Sequence, residues 1–325
     1  MPLISVIIPV YNGEKTIQET IESVFSQTFP DLELVVINDG SQDKTLEVVS
    51  SIQDPRLKVF SYPNAGVAAS RNRGFLHSSG QFIAFLDADD LWTADKLEAQ
   101  LKALQENPEA GVAYSWSNFI SESNQILQAG RRLTWNGNVY SKILVINFLE
   151  HGSNPLIRRE ALEVVGGFEE SLPPADDWDM WIRLAAKYPF VVVTAPQILY
   201  RVSTSSQSTN VVKLEAACLQ VIERAFNQAP EDLQPLKKRS VGEIYKYLTF
   251  KCLEGQPTRQ KSLQAAHYFW RSITADSSIM TQSRVVVIVL FKVFIGVLLP
   301  TQLSQSLISS SKKVYRRYKH LLPLT

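Results

Sequence analysis

The chain has 325 residues, which suffices for one large domain or two modest ones. Its 33 basic and 32 acidic residues nearly cancel, so the overall charge gives no case for a nucleic-acid partner. The two cysteines, Cys218 and Cys252, are too few for a disulfide framework and lack metal-ligand spacing, which fits a reducing compartment. No charged leader or cleavage site precedes the first apolar run, and we therefore expect a cytoplasmic protein.

Strand-like and helix-like segments alternate along the N-terminal part of the chain. Apolar runs of strand length occupy residues 3–9, 32–37, 57–60 and 82–86, and segments of helical periodicity lie between them. This alternation predicts an α/β fold in which helices flank a doubly wound sheet with right-handed crossovers. Because ligands of such sheets bind beyond the carboxyl ends of the strands, we expect the site at the loops after the first, second and fourth strands.

Three acidic residues, Asp87, Asp89 and Asp90, follow the fourth apolar run directly. Two carboxylates ~4 Å apart repel by roughly 4 kcal/mol at an effective dielectric of about 20, so such a cluster favours a bound cation. Mg²⁺ or Mn²⁺ suits these oxygen ligands and keeps coordination sites for the phosphates of a nucleotide. The alternative is that Asp90 caps a helix predicted over residues 91–105, while the other acids complement its dipole.

Residues at the same edge of the predicted sheet are candidates for nucleotide binding: Pro9, Tyr11, Asn12 and Glu14 after the first strand, Asp39 after the second, and Arg71 on the helix before the fourth. Tyr11 could stack beside a base, Asp39 could accept from a base imide or a ribose hydroxyl, and Arg71 could pair with a carboxylate or phosphate. Turns at Asn12 and Asp39 and a solvated Arg71 are the alternatives. Neither a G-x-G-x-x-G nor a P-loop motif occurs, which disfavours a dinucleotide-binding dehydrogenase and leaves the phosphates to the metal.

Four ordered motifs resemble those of family 2 glycosyltransferases with the GT-A fold. They are V-I-I-P-V-Y-N at residues 6–12, V-I-N-D-G-S at 36–41, the segment from Asn64 to Asn72, and F-L-D-A-D-D at 85–90. The resemblance covers about residues 1–203. It implies a nucleotide-sugar donor in contact with Asp39, Asn64 and Arg71. It also implies that Asp87 lies at the ribose or diphosphate and that Asp89, helped by Asp87, is the main ligand of Mg²⁺ or Mn²⁺.

The second half of this region is expected to bind the acceptor. The segment D-D-W-D-M-W-I-R-L at residues 176–184 resembles the acidic helix start of the family, where Asp177 aligns with the general base, although Asp176 stands where the family more usually has Glu. A carboxylate there can take the proton of an acceptor hydroxyl, and Trp178 and Trp181 could stack on an acceptor sugar. The alternative places the acids at the positive end of the helix and both tryptophans in the core.

Two further features bear on the type of transfer. Ser203 stands where many family members have His, and the Ser/Thr-rich residues 203–210 form either a lid over the diphosphate or a solvated linker. No Q-x-x-R-W motif follows the base segment, and the sequence lacks several spanning helices. Both absences favour a non-processive enzyme that adds one sugar.

Helical periodicity dominates from residue 211, which predicts a catalytic domain over 1–210 and a helical C-terminal region over 211–325. Residues 285–299 are the most apolar stretch, but as a helix they span ~22 Å against a hydrocarbon core of ~30 Å. The tail carries five basic residues interleaved with tyrosines: Lys312, Lys313, Tyr315, Arg316, Arg317, Tyr318 and Lys319. This pattern predicts peripheral contact with an anionic membrane at its cytoplasmic face. A helix packed on the catalytic domain, with a solvated basic end, is the alternative.

These observations predict an inverting, metal-dependent hexosyltransferase. It would move one sugar from a nucleotide-sugar donor, a UDP-sugar, to a hydroxyl of a glycan or lipid-linked saccharide, in the synthesis of cell-surface polysaccharide or glycolipid. One alternative is transfer to a polyprenyl phosphate, whose acceptor is already anionic and needs no base. The other is a non-catalytic scaffold that binds a sugar nucleotide.

Overall fold

The computed structural model describes residues 1–172, 174–203 and 210–307 of the chain. Most of the segment interpreted as a lid or linker, residues 204–209, therefore lies outside the described residues. The same holds for the basic tail from Lys312 to Lys319.

Nine strands and eleven α-helices are named within the described residues. The strands are β1 (Ile4–Val10), β2 (Leu32–Asn38), β3 (Leu57–Ser61), β4 (Phe82–Phe85), β5 (Leu91–Trp92), β6 (Val112–Ile120), β7 (Ile126–Ala129), β8 (Leu156–Arg158) and β9 (Phe190–Arg201). The helices are α1 (Ile17–Phe25), α2 (Thr45–Ser51), α3 (Val67–His77), α4 (Lys96–Glu106), α5 (Tyr140–Ile143), α6 (Arg159–Val165), α7 (Asp176–Ala185), α8 (Val211–Gln228), α9 (Leu236–Cys252), α10 (Arg259–Ala275) and α11 (Ser283–Leu298).

The strands form one mixed sheet in the order β3-β2-β1-β4-β8-β6-β9-β5, and β7 pairs with β6 beside this path. Strands β3, β2, β1 and β4 are parallel, whereas β8 runs antiparallel to both β4 and β6. The predicted doubly wound mixed sheet flanked by helices is therefore confirmed. The chain moves from β1 through β2 to β3 and then crosses back to β4 on the other side of β1. The loops after β1 and β4 thus diverge at a point where such sheets open a ligand crevice.

The first two strands are buried along their whole length, as their uninterrupted apolar runs predict. Successive side chains of these strands enter two separate hydrophobic clusters, as the strand period of two requires. Ile7 and Ile37 belong to a cluster that reaches the C-terminal helices, whereas Ile8 and Val36 belong to one shared with α1 and α4. Burial on both faces fixes the sheet, so the loops at its carboxyl edge have a rigid base.

The helix predicted over residues 91–105 begins later than expected. Leu91 and Trp92 form the short strand β5, which pairs antiparallel with Leu199 and Ile198 of β9, and α4 begins only at Lys96. Leu91 and Trp92 are buried, and their partners come from a strand about a hundred residues further along the chain. A tertiary contact therefore overrides the local helical pattern.

The C-terminal helices stack in sequence order on the sheet domain. Helix α8 packs on α7 and α9, α9 packs on α10, and α10 packs on α11. Buried residues of α8, α9 and α10 share one hydrophobic cluster with Phe168, Trp178 and Trp181 of the sheet domain. The division at residue 210 stays a prediction. Among the helices of the described residues, none combines the length and apolar character needed to cross a bilayer.

Candidate functional site

The loops after β1 and β2 are tied together by their own candidate residues. The Asn12 Oδ1 accepts a hydrogen bond from the Gln42 amide at 2.8 Å, and the Glu14 Oε2 accepts one from the Lys44 amide at 2.9 Å. Pro9 is a buried strand residue, whereas the Tyr11 side chain is 51 % exposed at the crevice edge. Asn12 and Glu14 thus tie the two loops together, and Tyr11, Asn12 and Glu14 are all exposed, whereas Pro9 is buried.

Asp39 builds the start of helix α3. Its two carboxylate oxygens accept hydrogen bonds from the amides of Ala65 at 2.9 Å and Gly66 at 2.8 Å, and the Asn64 side chain donates to its carbonyl oxygen. Gly66 has a φ of 92°, in the region that favours glycine, and this turn directs both amides at the carboxylate. Asp39 is buried, and both of its carboxylate oxygens already bind backbone amides. The predicted contacts of Asp39 and Asn64 with a nucleotide stay predictions.

The acidic turn after β4 is held by hydrogen bonds through Ser153. The Ser153 Oγ accepts from the Asp87 amide at 3.0 Å and donates to the Asp90 Oδ2 at 2.6 Å. Asp90 is fully buried, and its pKa is raised by burial and by the charges of Asp89 and Asp87. Because α4 begins at Lys96, the alternative that Asp90 caps this helix is wrong. The buried Asp90 side chain instead stabilises the turn through its hydrogen bond from Ser153.

Arg201, at the end of β9, is a site residue that the sequence reasoning missed. It is buried, and its Nε donates to the Asp89 carbonyl oxygen at 2.7 Å while its amide donates to the Asp90 Oδ1 at 2.9 Å. Its guanidinium also pairs with Glu19 of α1 at 3.0 Å. The segment L-Y-R after an apolar strand was visible in the sequence, but its target lies 111 residues earlier. Arg201 fixes the backbone that carries Asp89.

The side chains of Asp87 and Asp89 have the chemistry of a partial site for a divalent cation. Burial and the neighbouring Asp87 charge raise the pKa of Asp89 to about 6, and a cation would relieve this repulsion. Within the described ranges, no group of three or more His, Cys, Asp or Glu side chains forms a complete metal centre. One or two carboxylates suit Mg²⁺ that takes its other ligands from phosphates and water. The residues present therefore fit a cation that arrives with a diphosphate.

Arg71 joins this turn to the start of helix α7. Its Nη2 donates to the Asp87 Oδ1 at 2.6 Å, and its Nη1 donates to the Asp176 Oδ2 at 2.7 Å. The guanidinium is buried over the Phe168 ring, 5.2 Å from the ring centroid. A Cβ at Gly152 would stand 2.5 Å from the Arg71 Nη2, so the close approach needs glycine. Arg71 thus pairs with two carboxylates, and its predicted contact with the nucleotide stays a prediction.

Asp177 lies in the first turn of α7, next to the residue that Arg71 binds. It is half-buried, and its Oδ1 accepts a hydrogen bond from the Trp178 amide at 2.6 Å. Burial and the charge of Asp176 raise the pKa of Asp177 to about 7, although Arg71 acts in the opposite direction. A carboxylate with this pKa can accept a proton near neutral pH. The predicted base therefore lies next to Asp176, which Arg71 connects to Asp87 of the acidic turn.

The predicted contacts of Trp178 and Trp181 with an acceptor sugar need correction. Both indoles are buried in the main hydrophobic cluster, and the Trp178 Nε1 donates to the Ile143 carbonyl oxygen at 2.8 Å. A ring enclosed by core side chains has no face open to a sugar. The two tryptophans therefore have the core role that was the alternative interpretation.

Two buried basic side chains, His151 and Lys96, are not indicated by any of the sequence motifs. The His151 Nε2 forms a hydrogen bond with the Ser117 Oγ at 2.7 Å, and its ring stacks on Tyr200 with centroids 4.7 Å apart. Burial lowers the pKa of His151 to about 4. The Lys96 Nζ lies 3.8 Å from the centroid of the Trp92 ring, and burial lowers its pKa well below the usual value. The charges of Asp87 and Lys96 both act on the pKa of His151, in opposite directions.

Solved structures share this fold. The mannosyltransferase PcManGT of Pyrobaculum calidifontis, solved with GDP-Man and Mn²⁺, matches with a TM-score of 0.58 at 20 % identity, over 97 % of this chain and 80 % of its own. The 1–349 segment of S. aureus TarS, solved with UDP-GlcNAc, matches with a TM-score of 0.56 at 17 % identity, over 86 % of this chain and 92 % of its own. These likenesses show a GT-A fold.

Several curated relatives match part of the chain in sequence. An uncharacterized glycosyltransferase of Rickettsia bellii is 35 % identical over 57 % of this chain and 26 % of its own length. The hyaluronan synthase of Pasteurella multocida is 30 % identical over 66 % and 22 %. The UDP-Glc:alpha-D-GlcNAc-diphosphoundecaprenol beta-1,3-glucosyltransferase WfgD of Escherichia coli is 31 % identical over 65 % and 81 %. The match thus spans about a quarter of the first two relatives and most of WfgD.

The family model described as glycosyltransferase like family 2 matches residues 5–252. This range runs from β1 to the end of α9, and so contains the acidic turn, the Arg71 ion pairs and the start of α7. The chain therefore belongs to glycosyltransferase family 2.

Proposed function

We propose that the chain is an inverting glycosyltransferase that transfers one sugar from a UDP-sugar to a hydroxyl of a glycan or lipid-linked saccharide. The observation that carries this proposal is the double ion pair of Arg71 with Asp87 and Asp176. It connects the acidic turn, suited to a diphosphate, with the helix start that bears Asp177. Donor and acceptor groups would therefore meet at one edge of the sheet.

The proposed donor follows from the relatives and from the loops after β1 and β2. TarS is solved with UDP-GlcNAc, and the name of WfgD gives UDP-Glc, whereas PcManGT is solved with GDP-Man. Tyr11 would stack on the base, and Asp39 and Arg71 would contact the nucleotide. The remaining candidates would shape the same pocket: Pro9, Asn12, Glu14, Asn64 and Asp87.

The proposed cofactor is Mg²⁺ or Mn²⁺, held by Asp89 and Asp87 on the donor diphosphate. When bound, the cation would supply Lewis-acid stabilisation of the charge that develops on the departing nucleotide. Arg201 would hold the Asp89 backbone at a fixed distance from the sheet through its hydrogen bond to the Asp89 carbonyl oxygen. The acidic turn would then need little rearrangement when the donor binds.

Asp177 is the proposed general base. It would take the proton of the acceptor hydroxyl as that oxygen attacks the anomeric carbon from the face opposite the leaving nucleotide. The new bond to the acceptor oxygen forms as the bond to the diphosphate oxygen breaks, so one displacement inverts the anomeric configuration. The pKa of about 7 suits this task, because a base is most effective when its pKa lies near the working pH.

We propose that the reaction takes place at the cytoplasmic face of a membrane, in the synthesis of polysaccharide or glycolipid. WfgD is named for an undecaprenol-linked acceptor, and residues 277–325 of the present chain contain seven basic and no acidic residues. Such a segment suits an anionic leaflet.

The test is donor hydrolysis across a panel of UDP-, GDP- and dTDP-sugars, in Mn²⁺ or in EDTA, for the wild type and for Asp89→Ala. We expect one nucleotide to be released, only with metal, and not by the variant. Asp95→Ala is the matched control, because Asp95 precedes α4 and pairs with Gln197 instead of facing the turn. Tight nucleotide binding without turnover of any donor, even with acceptors present, would favour the scaffold.

A further inference from the structure

Helix α11 has an apolar face that the rest of the described structure leaves open. Its inner face packs on α10, where a Cβ at Gly296 would collide with Ser262, and Val289 and Ile295 are buried. Its outer face carries large apolar side chains that are between 43 % and 65 % exposed: Val287, Ile288, Leu290, Phe291, Phe294 and Leu298. Four of them recur at steps of three or four residues, which makes a continuous stripe along the helix.

The sequence segment that contains this stripe carries charge of one sign. Residues 277–325 contain seven basic and no acidic residues, which leaves 26 basic and 32 acidic residues in the rest of the chain. Arg284 is exposed in the first turn of α11. An apolar stripe within an acid-free, cationic segment is complementary to an anionic lipid surface, because apolar side chains enter the acyl boundary while the cations meet the headgroups.

The length of the helix decides how it would meet a bilayer. Helix α11 has 16 residues, or ~24 Å, which is shorter than the ~30 Å hydrocarbon core. Its inner face is already packed on α10, so only the outer face is available to lipid. These two facts favour a helix that lies in the plane of the interface.

We propose that the outer face of α11 is a membrane-docking surface for bilayers that contain anionic phospholipid. This surface would hold the chain at the membrane, whether or not the chain catalyses sugar transfer. A second copy of the chain is the competing occupant of this face. In a two-fold contact the two acid-free cationic segments would face each other, and their like charges would repel.

The test is flotation of the full chain with vesicles of phosphatidylcholine alone or mixed with phosphatidylglycerol. The variant Phe291→Ser/Phe294→Ser changes two exposed residues of the stripe. Leu76→Ser/Val164→Ser is the matched control, because it removes two exposed apolar side chains from α3 and α6. We expect ~10-fold stronger binding to the mixed vesicles, a ~10-fold loss in the stripe variant, and no loss in the control.

Equal binding by the wild type and the stripe variant, or no binding by either, would overturn the proposal. Sedimentation velocity distinguishes a second copy of the chain from a lipid surface as the occupant. A dimer that the stripe variant abolishes, together with no vesicle binding, would assign the face to a second copy. Donor hydrolysis without vesicles should be the same in both proteins. Vesicle binding by a wild type that turns over no donor, even with acceptors present, would support the docking surface and remove the transferase proposal.

Discussion

Arg71 and Asp176 lie 105 residues apart in the sequence, yet they form a buried ion pair with Nη1 and Oδ2 2.7 Å apart. The second Nη atom of the same guanidinium binds Asp87. One buried cation therefore balances two carboxylates from different parts of the chain. Loss of the cation would leave both acids close together with no opposite charge between them.

Replacement of Arg71 by Met is expected to lower the free energy of unfolding by about 3–5 kcal/mol, because it leaves uncompensated buried charge. Urea unfolding measures this change. Arg73→Met is the control, since Arg73 is more exposed and its partner Asp39 keeps two amide hydrogen bonds. The second variant Arg71→Met/Asp176→Asn should recover part of the loss. Equal destabilisation by the Arg71 and Arg73 variants would contradict a special role for this pair.

Replacement of Asp177 by Asn is expected to lower the kcat of transfer to a hydroxyl acceptor by roughly 10²–10⁴-fold, because Asn cannot accept the proton. Nucleotide affinity, measured by calorimetry, should stay within about twofold of the wild type. Asp179→Asn is the matched control on the same helix turn, since Asp179 pairs with Arg183 and Arg224. Full activity of the Asp177 variant would instead favour a polyprenyl phosphate acceptor, which needs no base.

The pKa of Asp177 predicts how the rate of transfer depends on pH. Only the ionised Asp177 can act as a base, and burial together with Asp176 raises its pKa to about 7. We therefore expect kcat/KM to rise with pH through about 7 and then level off. The residual activity of the Asp177 variant should lack this rise. A wild-type profile that is flat between pH 6 and 8 would count against Asp177 as the base.

The sequence predicted those parts of the fold that local patterns determine. The buried runs of β1 and β2 were visible as uninterrupted apolar stretches, and the acids after β4 were visible because they end such a run. Strand β5 was not predictable, because its conformation comes from pairing with β9. A short apolar pair before a helical pattern carries no local signal of that distant partner.

The same distinction applies to the site. The motifs indicate Asp87, Asp89, Asp177 and Arg71, but not the contacts across the fold. Arg71 pairs with Asp87 and Asp176, and Arg201 donates to the Asp89 carbonyl oxygen. The two tryptophans after Asp177 were misassigned because an aromatic beside an acid has the same pattern whether its ring faces a sugar or the core. Burial decides between these roles, and burial is a property of the folded chain.

Arg201 gives a prediction about donor binding. Arg201→Gln should weaken the affinity for nucleotide in the presence of Mn²⁺ by about tenfold, because it removes the charged donor to the Asp89 carbonyl oxygen and loosens the acidic turn. Calorimetric titration measures this change. Glu19→Gln is the control, since it removes the exposed ion-pair partner of Arg201 while the contact with Asp89 remains. Similar affinities for wild type and Arg201→Gln would show that the turn needs no such support.

His151 gives a prediction about stability. Its pKa is lowered by burial from 6.5 to about 4, with Asp87 acting against this shift and with Lys96 and Arg71 supporting it. Between these two pH values the unfolded chain binds a proton that the folded chain does not bind. The contribution of neutral His151 to the free energy of unfolding is therefore complete above pH 6.5. It decreases by about 3 kcal/mol in all as the pH falls towards 4.

Replacement of His151 by Gln should remove this part of the pH dependence, because Gln does not titrate. Urea unfolding at several pH values between 4 and 7 measures the pH dependence of the free energy of unfolding. The difference between variant and wild type separates the contribution of His151 from that of the carboxylates. Those acids act with the opposite sign: the raised pKa values of Asp89 and Asp177 favour the folded state as the pH falls. His267→Gln is the control, since His267 is exposed on α10. If both histidine variants keep the wild-type slope, His151 is not buried as a neutral ring.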